Sequence, residues 1–134
     1  MENQKNIEIG RIRQETFLVE ENHTAYHIGS GDEKVLSTPS MISFMEQVSN
    51  RLISDVLPED DMSVGIQVDI KHLAPSPVNT KIRVQVEVIK IEQKRILLKV
   101  EAWDPVDKIG EGTHRRAIVD KAKFMARVKM KSSV

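Results

Sequence analysis

VLSTPSMISFMEQVSN, residues 35–50, is the stretch on which the fold turns. Val35 and Leu36 read as a brief extended piece. Thr38 reads as a helix N-cap, with Pro39 at the first helical position, where its missing N–H costs nothing. From Ser40 to about Leu57, Met41, Met45, Val48, Leu52 and Val56 recur at helical spacing, with Ile42 and Ile53 beside them. Pro58 and the acidic run PEDD, 58–61, stop the helix. A helix that is apolar over so broad an arc must be covered by a second layer.

Outward from the helix, the chain reads as β. ETFLVE, 15–20, is a short strand behind an N-terminal extension of residues 1–14, and NHTAYHIGSGDEK is a loop with Asp32 as its Asx-type turn residue. In MSVGIQVDIKHL the residues Val64, Ile66, Val68 and Ile70 share one face. Two prolines in APSPVN break the ladder. TKIRVQVEVIKI alternates at Ile82, Val84, Val86 and Val88, and its phase slips at Ile89, which predicts a bulge. RILLKVEAW places Ile96, Leu98, Val100 and Ala102 on one face; DPVDKIGEG reads as a turn and THRRAIVD as the last strand. Residues 121–134 form a basic tail or short helix. Strand, helix, then four antiparallel strands predict one α+β domain over 1–134. Its architecture is the hotdog fold, one long helix wrapped by a curved antiparallel sheet of five or six strands. An unpaired sheet edge predicts a homodimer, with a tetramer as a further step.

Composition narrows the function classes. At 134 residues the chain can bury one core but not two, and 40% hydrophobic with 30% charged residues suits a globular domain. No apolar run approaches the roughly 20 residues that span a bilayer, so no membrane role is expected. MENQKNIEIGRIRQ lacks the apolar centre of a signal peptide. Having no cysteine excludes disulfides, thiolate metal sites and thiol nucleophiles, and fits a cytoplasmic protein. Twenty basic against twenty acidic residues give no global reason to expect nucleic acid. The basic run Lys121, Lys123, Arg127, Lys129 and Lys131 is either a solvated helix face or a landing strip for a phosphorylated cofactor. His23, His27, His72 and His114 do not form a tight metal spacing, and neither a phosphate loop nor a GxSxG elbow is present.

Four residues stand out against this background. At about 100° per residue, Glu46 lies about 40° from Ile42 and about 20° from Ile53 on the helix, at the rim of the apolar arc. It is either a rim carboxylate paired with a lysine or arginine, or a base or nucleophile made usable by burial. His72 continues the inward phase of Ile70, as a hydrogen-bonded core residue or as a catalyst on the core that Glu46 borders. Thr38 caps the helix, and its hydroxyl also sits where backbone N–H groups and the positive dipole end collect. Gly65 interrupts a clean strand, which marks a bulge, a tight crossing or room for a substrate carbonyl.

STPSMISFMEQ, VGIQVDIKHLAP and GEGTHRRAIVD together resemble the hotdog-fold thioesterases of the fluoroacetyl-CoA thioesterase-like group, over roughly residues 15–127. The resemblance implies a dimeric hydrolase of acyl-CoA thioesters, with active sites at the subunit interface and coenzyme A entering only as part of the substrate. It implies a catalytic group of Thr38, Glu46 and His72, in which Thr38 hydrogen-bonds the carboxylate or the thioester oxygen, Glu46 attacks or activates water, and His72 orients and shuttles protons. Gly65 would admit the carbonyl, and Arg116 with Lys121 would face the phosphates or pantetheine of coenzyme A. One stretch departs from the group: HIGSGDEK, ahead of the helix, holds no aromatic residue where the fluoroacetyl specialist carries an aromatic lid. A general acyl-CoA thioesterase is therefore expected rather than a fluoroacetate-resistance enzyme. The alternatives are a non-catalytic acyl-CoA or small-ligand binding protein on the same scaffold, and a structural dimer with no ligand.

Overall fold

In the computed structural model, which describes residues 7–134, one five-stranded antiparallel sheet packs on one long helix. The first six residues of the expected N-terminal extension lie outside the described residues. The strands are β1 (Ile12–Leu18), β2 (Asp61–His72), β3 (Lys81–Glu92), β4 (Arg95–Trp103) and β5 (Lys108–Asp120), and they lie in the order β1-β3-β4-β5-β2. The helices are α1 (Ala25–Ile28), α2 (Thr38–Ser54) and α3 (Lys121–Ser132).

Alternation in β3 and β4 survives folding: Ile82, Val84, Val86 and Val88 and their neighbours Ile96, Leu98, Val100 and Ala102 are all fully buried. Onto them α2 lays Met41, Phe44, Met45, Val48, Leu52 and Ile53. Each such side chain is worth about 1.5–3 kcal/mol of transfer free energy, so this seam holds the helix to the sheet. The register of β3 slips between Val88 and Lys90, at the expected bulge. Phe17 of β1 stacks on Phe44, ring centroids 4.4 Å apart. At Gly110 a Cβ would lie 2.6 Å from the Met41 sulfur, so the missing side chain lets α2 settle close to β5.

Several boundaries differ from expectation, each for a local reason. β1 begins at Ile12, because residues 12–18 find a full antiparallel partner in β3. The expected loop after it holds a 3-10 turn, Glu21–His23, and the single helical turn α1, which Gly29 ends in a left-handed conformation (φ 81°). The turn after β4 is shorter than expected. Asp104 accepts the Val106 and Asp107 N–H groups through Oδ1, and the chain re-enters the sheet at Lys108.

The largest departure lies in β2. Its register against β5 shifts between Gly65 and Gln67. Uniform alternation would put Val64 and Ile66 inward with His72. Instead Ser63 and Gly65 face α2 before the bulge, and Val68, Ile70 and His72 face it afterwards. Ser63 is buried, Gly65 lies under Glu46, and Val68 stands opposite the buried His114. Ile66 is the extra residue and lies exposed.

Candidate active site

The helix does not begin as its sequence suggests. Ser37, not Thr38, is the N-cap; its side chain accepts the Ser40 N–H at 3.0 Å. Thr38 is the first helical residue, and Pro39 occupies the second position, still inside the turn whose N–H groups have no helical partner. Ser37 thus does the capping and leaves the Thr38 hydroxyl free. That hydroxyl shares a 2.7 Å hydrogen bond with Nδ1 of His72, the last residue of β2.

The other imidazole nitrogen, Nε2, is buried and has no hydrogen-bond partner among the described residues. An unpartnered buried polar atom is costly, and such atoms in native proteins call for a reason. Burial also lowers the His72 pKa below the ordinary imidazole value, offset in part by the Ala74 backbone, so the ring is neutral at pH 7. Thr38 and His72 border a cleft of about 230 Å³, walled by Leu36, Ala74 and Pro75. A larger depression of about 420 Å³ lies elsewhere, around Asp69, Lys99 and Glu111, and touches none of these groups.

Glu46 is not in that cleft. Eight residues further along α2, its backbone lies about 12 Å from that of Thr38. Its carboxylate instead lies over Gly65, with Oε2 only 2.9 Å from the point a Cβ there would occupy and His114 Cε1 3.2 Å from the same point. Among the described residues no lysine or arginine closes an ion pair with it. Of the expected catalytic group, then, one chain brings Thr38 and His72 together and holds Glu46 apart, beside Gly65.

Arg116 belongs with Glu46. Only 7% exposed, it lies beneath α2, where Nε donates to Ser63 Oγ at 2.8 Å and Nη2 donates to the Ser63 carbonyl at 3.1 Å and Asn50 Oδ1 at 3.3 Å. Burial lowers its pKa and Glu46 raises it; the guanidinium stays charged. Arg116 was expected to face the phosphates or pantetheine arm of coenzyme A; in the chain it is buried on these neutral partners. Lys121 opens α3, exposed, with its N–H on the Asp60 carbonyl, at the end of β2 opposite His72. His114, Ser63 and Asn50 were missed. The bulge hides the inward phase of Ser63, and His114 shows itself only through its position two residues from Arg116 on one strand face.

A single sheet wrapped on a central helix, with polar groups gathered along one edge strand and the helix start, is the hotdog fold as thioester hydrolases use it. The chain belongs to the fluoroacetyl-CoA-specific thioesterase (FlK) family, whose model matches residues 19–122. The fluoroacetyl-CoA thioesterase of Streptantibioticus cattleyicolor is 33% identical over 99 residues, 74% of this chain and 71% of that protein. A solved structure of the fluoroacetyl-CoA thioesterase FlK matches with a TM-score of 0.89 at 28% identity, over 95% of this chain and 98% of that one. A thioesterase superfamily member from Thermus thermophilus matches equally well, TM-score 0.89 at 26% identity, over 96% of each chain.

Proposed function

We propose that the protein hydrolyses a small or medium acyl-CoA thioester to the free acid and coenzyme A, using Thr38, His72 and Glu46. The observation that carries the reading is the Thr38–His72 pair, which opens on a cleft with one imidazole nitrogen unpartnered. A neutral imidazole held by a hydroxyl can take the proton of the attacking water and then, as the imidazolium, pass it to the leaving thiolate. Thr38 also lies at the positive end of α2, where an acyl oxygen gains from the helix dipole and free N–H groups. The segment 27–34 ahead of α2 carries two glycines and no phenylalanine, tyrosine or tryptophan, which favours a general acyl preference over a fluoroacetyl one.

Glu46 joins the pair through a homodimer. Among the described residues β2 pairs only with β5, and its other rim of N–H and C=O groups finds no strand there. Ile66 and Val68 on that strand are 45% and 46% exposed. A two-fold axis at Val68 sets inward residue against inward residue: Gly65 opposite the partner's Ile70, and Ser63 opposite the partner's His72. Both bulges are then accommodated, and the partner's His72 with its Thr38 arrives beside Glu46. The same pairing carries Lys121 toward the mouth of the partner's cleft, where a basic side chain suits the coenzyme A phosphates. In this site Glu46 supplies the attacking oxygen, directly or by activating water, and Gly65 leaves room for the carbonyl.

The test is thiol release from a panel of short and medium acyl-CoAs. Wild type is expected to turn over at least one of them, with Glu46→Ala lowering kcat by about 100-fold or more. Equal background rates for the two proteins overturn the reading. Saturable coenzyme A binding without turnover would replace it with a binding function.

A further inference from the structure

Beneath Glu46 lies a second histidine that the proposed chemistry does not use. His114, 1% exposed, is the most buried titratable group beside the site. Its Nδ1 lies 2.9 Å from the carbonyl oxygen of Gln67, the residue that resumes β2 after the bulge. Its Nε2 lies 3.3 Å from Nη1 of Arg116. A carbonyl oxygen offers no proton and a guanidinium offers no lone pair. Both contacts therefore require one state, a neutral ring with the proton on Nδ1 and a lone pair on Nε2. Burial, the largest influence, favours the same neutral form; the Gln67 backbone pulls the other way, the adjacent Arg116 charge again favours the neutral ring, and Glu46 opposes it least.

We propose that His114 is a positioning residue for the thioesterase site: its Nδ1–H pins the β2 bulge at Gln67 while its Nε2 lone pair receives Arg116 and aims the guanidinium at the Glu46–Gly65 floor. Arg116 has no carboxylate at ion-pair distance among the described residues, only the neutral acceptors Ser63, Asn50 and His114. A buried cation held by neutral groups keeps its field for a nearby anion. The anions available at that floor are the Glu46 carboxylate and the oxyanion of a thioester under attack. Turning the guanidinium by one hydrogen bond redirects that field without touching substrate, so the chemical step suffers and binding does not.

This rests on the thioesterase reading, and the experiment separates the two. Imidazole nitrogen NMR shifts of the intact protein report the ring's state whether or not it turns over; Nδ1–H with a bare Nε2 is expected, and Nε2–H overturns the proposal. Two variants then divide the contacts. Asn at 114 keeps a donor near Nδ1 and loses the acceptor for Arg116, whereas Gln carries an acceptor out to the Nε2 position. His114→Asn is expected to lower kcat by about tenfold or more with KM within about twofold, and His114→Gln to stay within about threefold of wild type. Equal losses in both, with equal falls in Tm, mean a packing role only and overturn the proposal, as does full kcat in His114→Asn. A wild type with the expected nitrogen shifts but no thiol release refutes the enzyme reading and, with it, the catalytic consequence. The tautomer would then stand alone.

Discussion

At the scale of single residues, the work is divided between two neighbours at the start of α2. Ser37 caps and Thr38 reaches His72, so substitutions at the two positions should separate. Ser37→Ala is expected to cost about 1 kcal/mol of stability, as a lost N-cap does, with kcat preserved in the folded fraction; urea denaturation alongside thiol release checks both. Thr38→Ala should do the reverse, lowering kcat by about tenfold or more with little change in the unfolding midpoint. His72 and His114 both have pKa values lowered chiefly by burial. A lowered histidine pKa means that the unfolded chain binds more protons between the folded and unfolded values, so stability rises with pH through that window. Melting temperature should therefore fall as pH drops below about 6.5, the unperturbed imidazole value. His114→Gln should flatten that slope, a comparison that thermal melts from pH 7 to pH 5 would make. The place of Thr38 at the head of the helix was readable in the sequence, but its contact with His72 was not. Its role was misassigned because Ser37 and Thr38 both cap well, and only the backbone decides which one does.

At the scale of elements, β2 governs the site. The bulge after Gly65 turns Ser63 and Gly65 toward α2 and leaves Ile66 outside. Gly65→Ala would thrust a methyl to within 2.9 Å of the Glu46 carboxylate and 3.2 Å of His114. Glu46 can swing aside but His114 cannot, so the expected result is a folded protein with thiol release reduced by at least about tenfold. Unchanged turnover in that variant would mean that nothing approaches the Gly65 backbone. Alternation in β3 and β4 was legible because both strands are central and bury one face along their length. β2 was legible in existence but not in phase: its bulge depends on pairing with β5, which no local pattern records.

At the scale of the whole molecule, one chain holds two separate groupings, Thr38 with His72 and Glu46 over Gly65. The proposed two-fold pairing of β2 makes a whole site from one half of each. It carries a test that a site within one chain would fail. Co-expressed Glu46→Ala and His72→Ala chains, each inactive alone, would form mixed dimers in which one of two sites has both groups intact. Activity of about one quarter of wild type is expected for random pairing, whereas sites formed within single chains give none. Val68→Lys should oppose two charges at the axis and shift the protein to monomer in size-exclusion chromatography, with thiol release lost in parallel.

The amino-acid order by itself determined the α+β architecture, since the 3.6-residue period of α2 and the two-residue period of β3 and β4 are local signals that packing only reinforced. It also marked Thr38, Glu46, Gly65 and His72 as the residues to watch, and the family resemblance added Arg116 and Lys121. Only the tertiary structure decided how they group. Distance between residues far apart in the chain follows from sheet register, and here a one-residue bulge in β2 set Glu46 over Gly65 and Arg116 while the end of the strand carried His72 to Thr38.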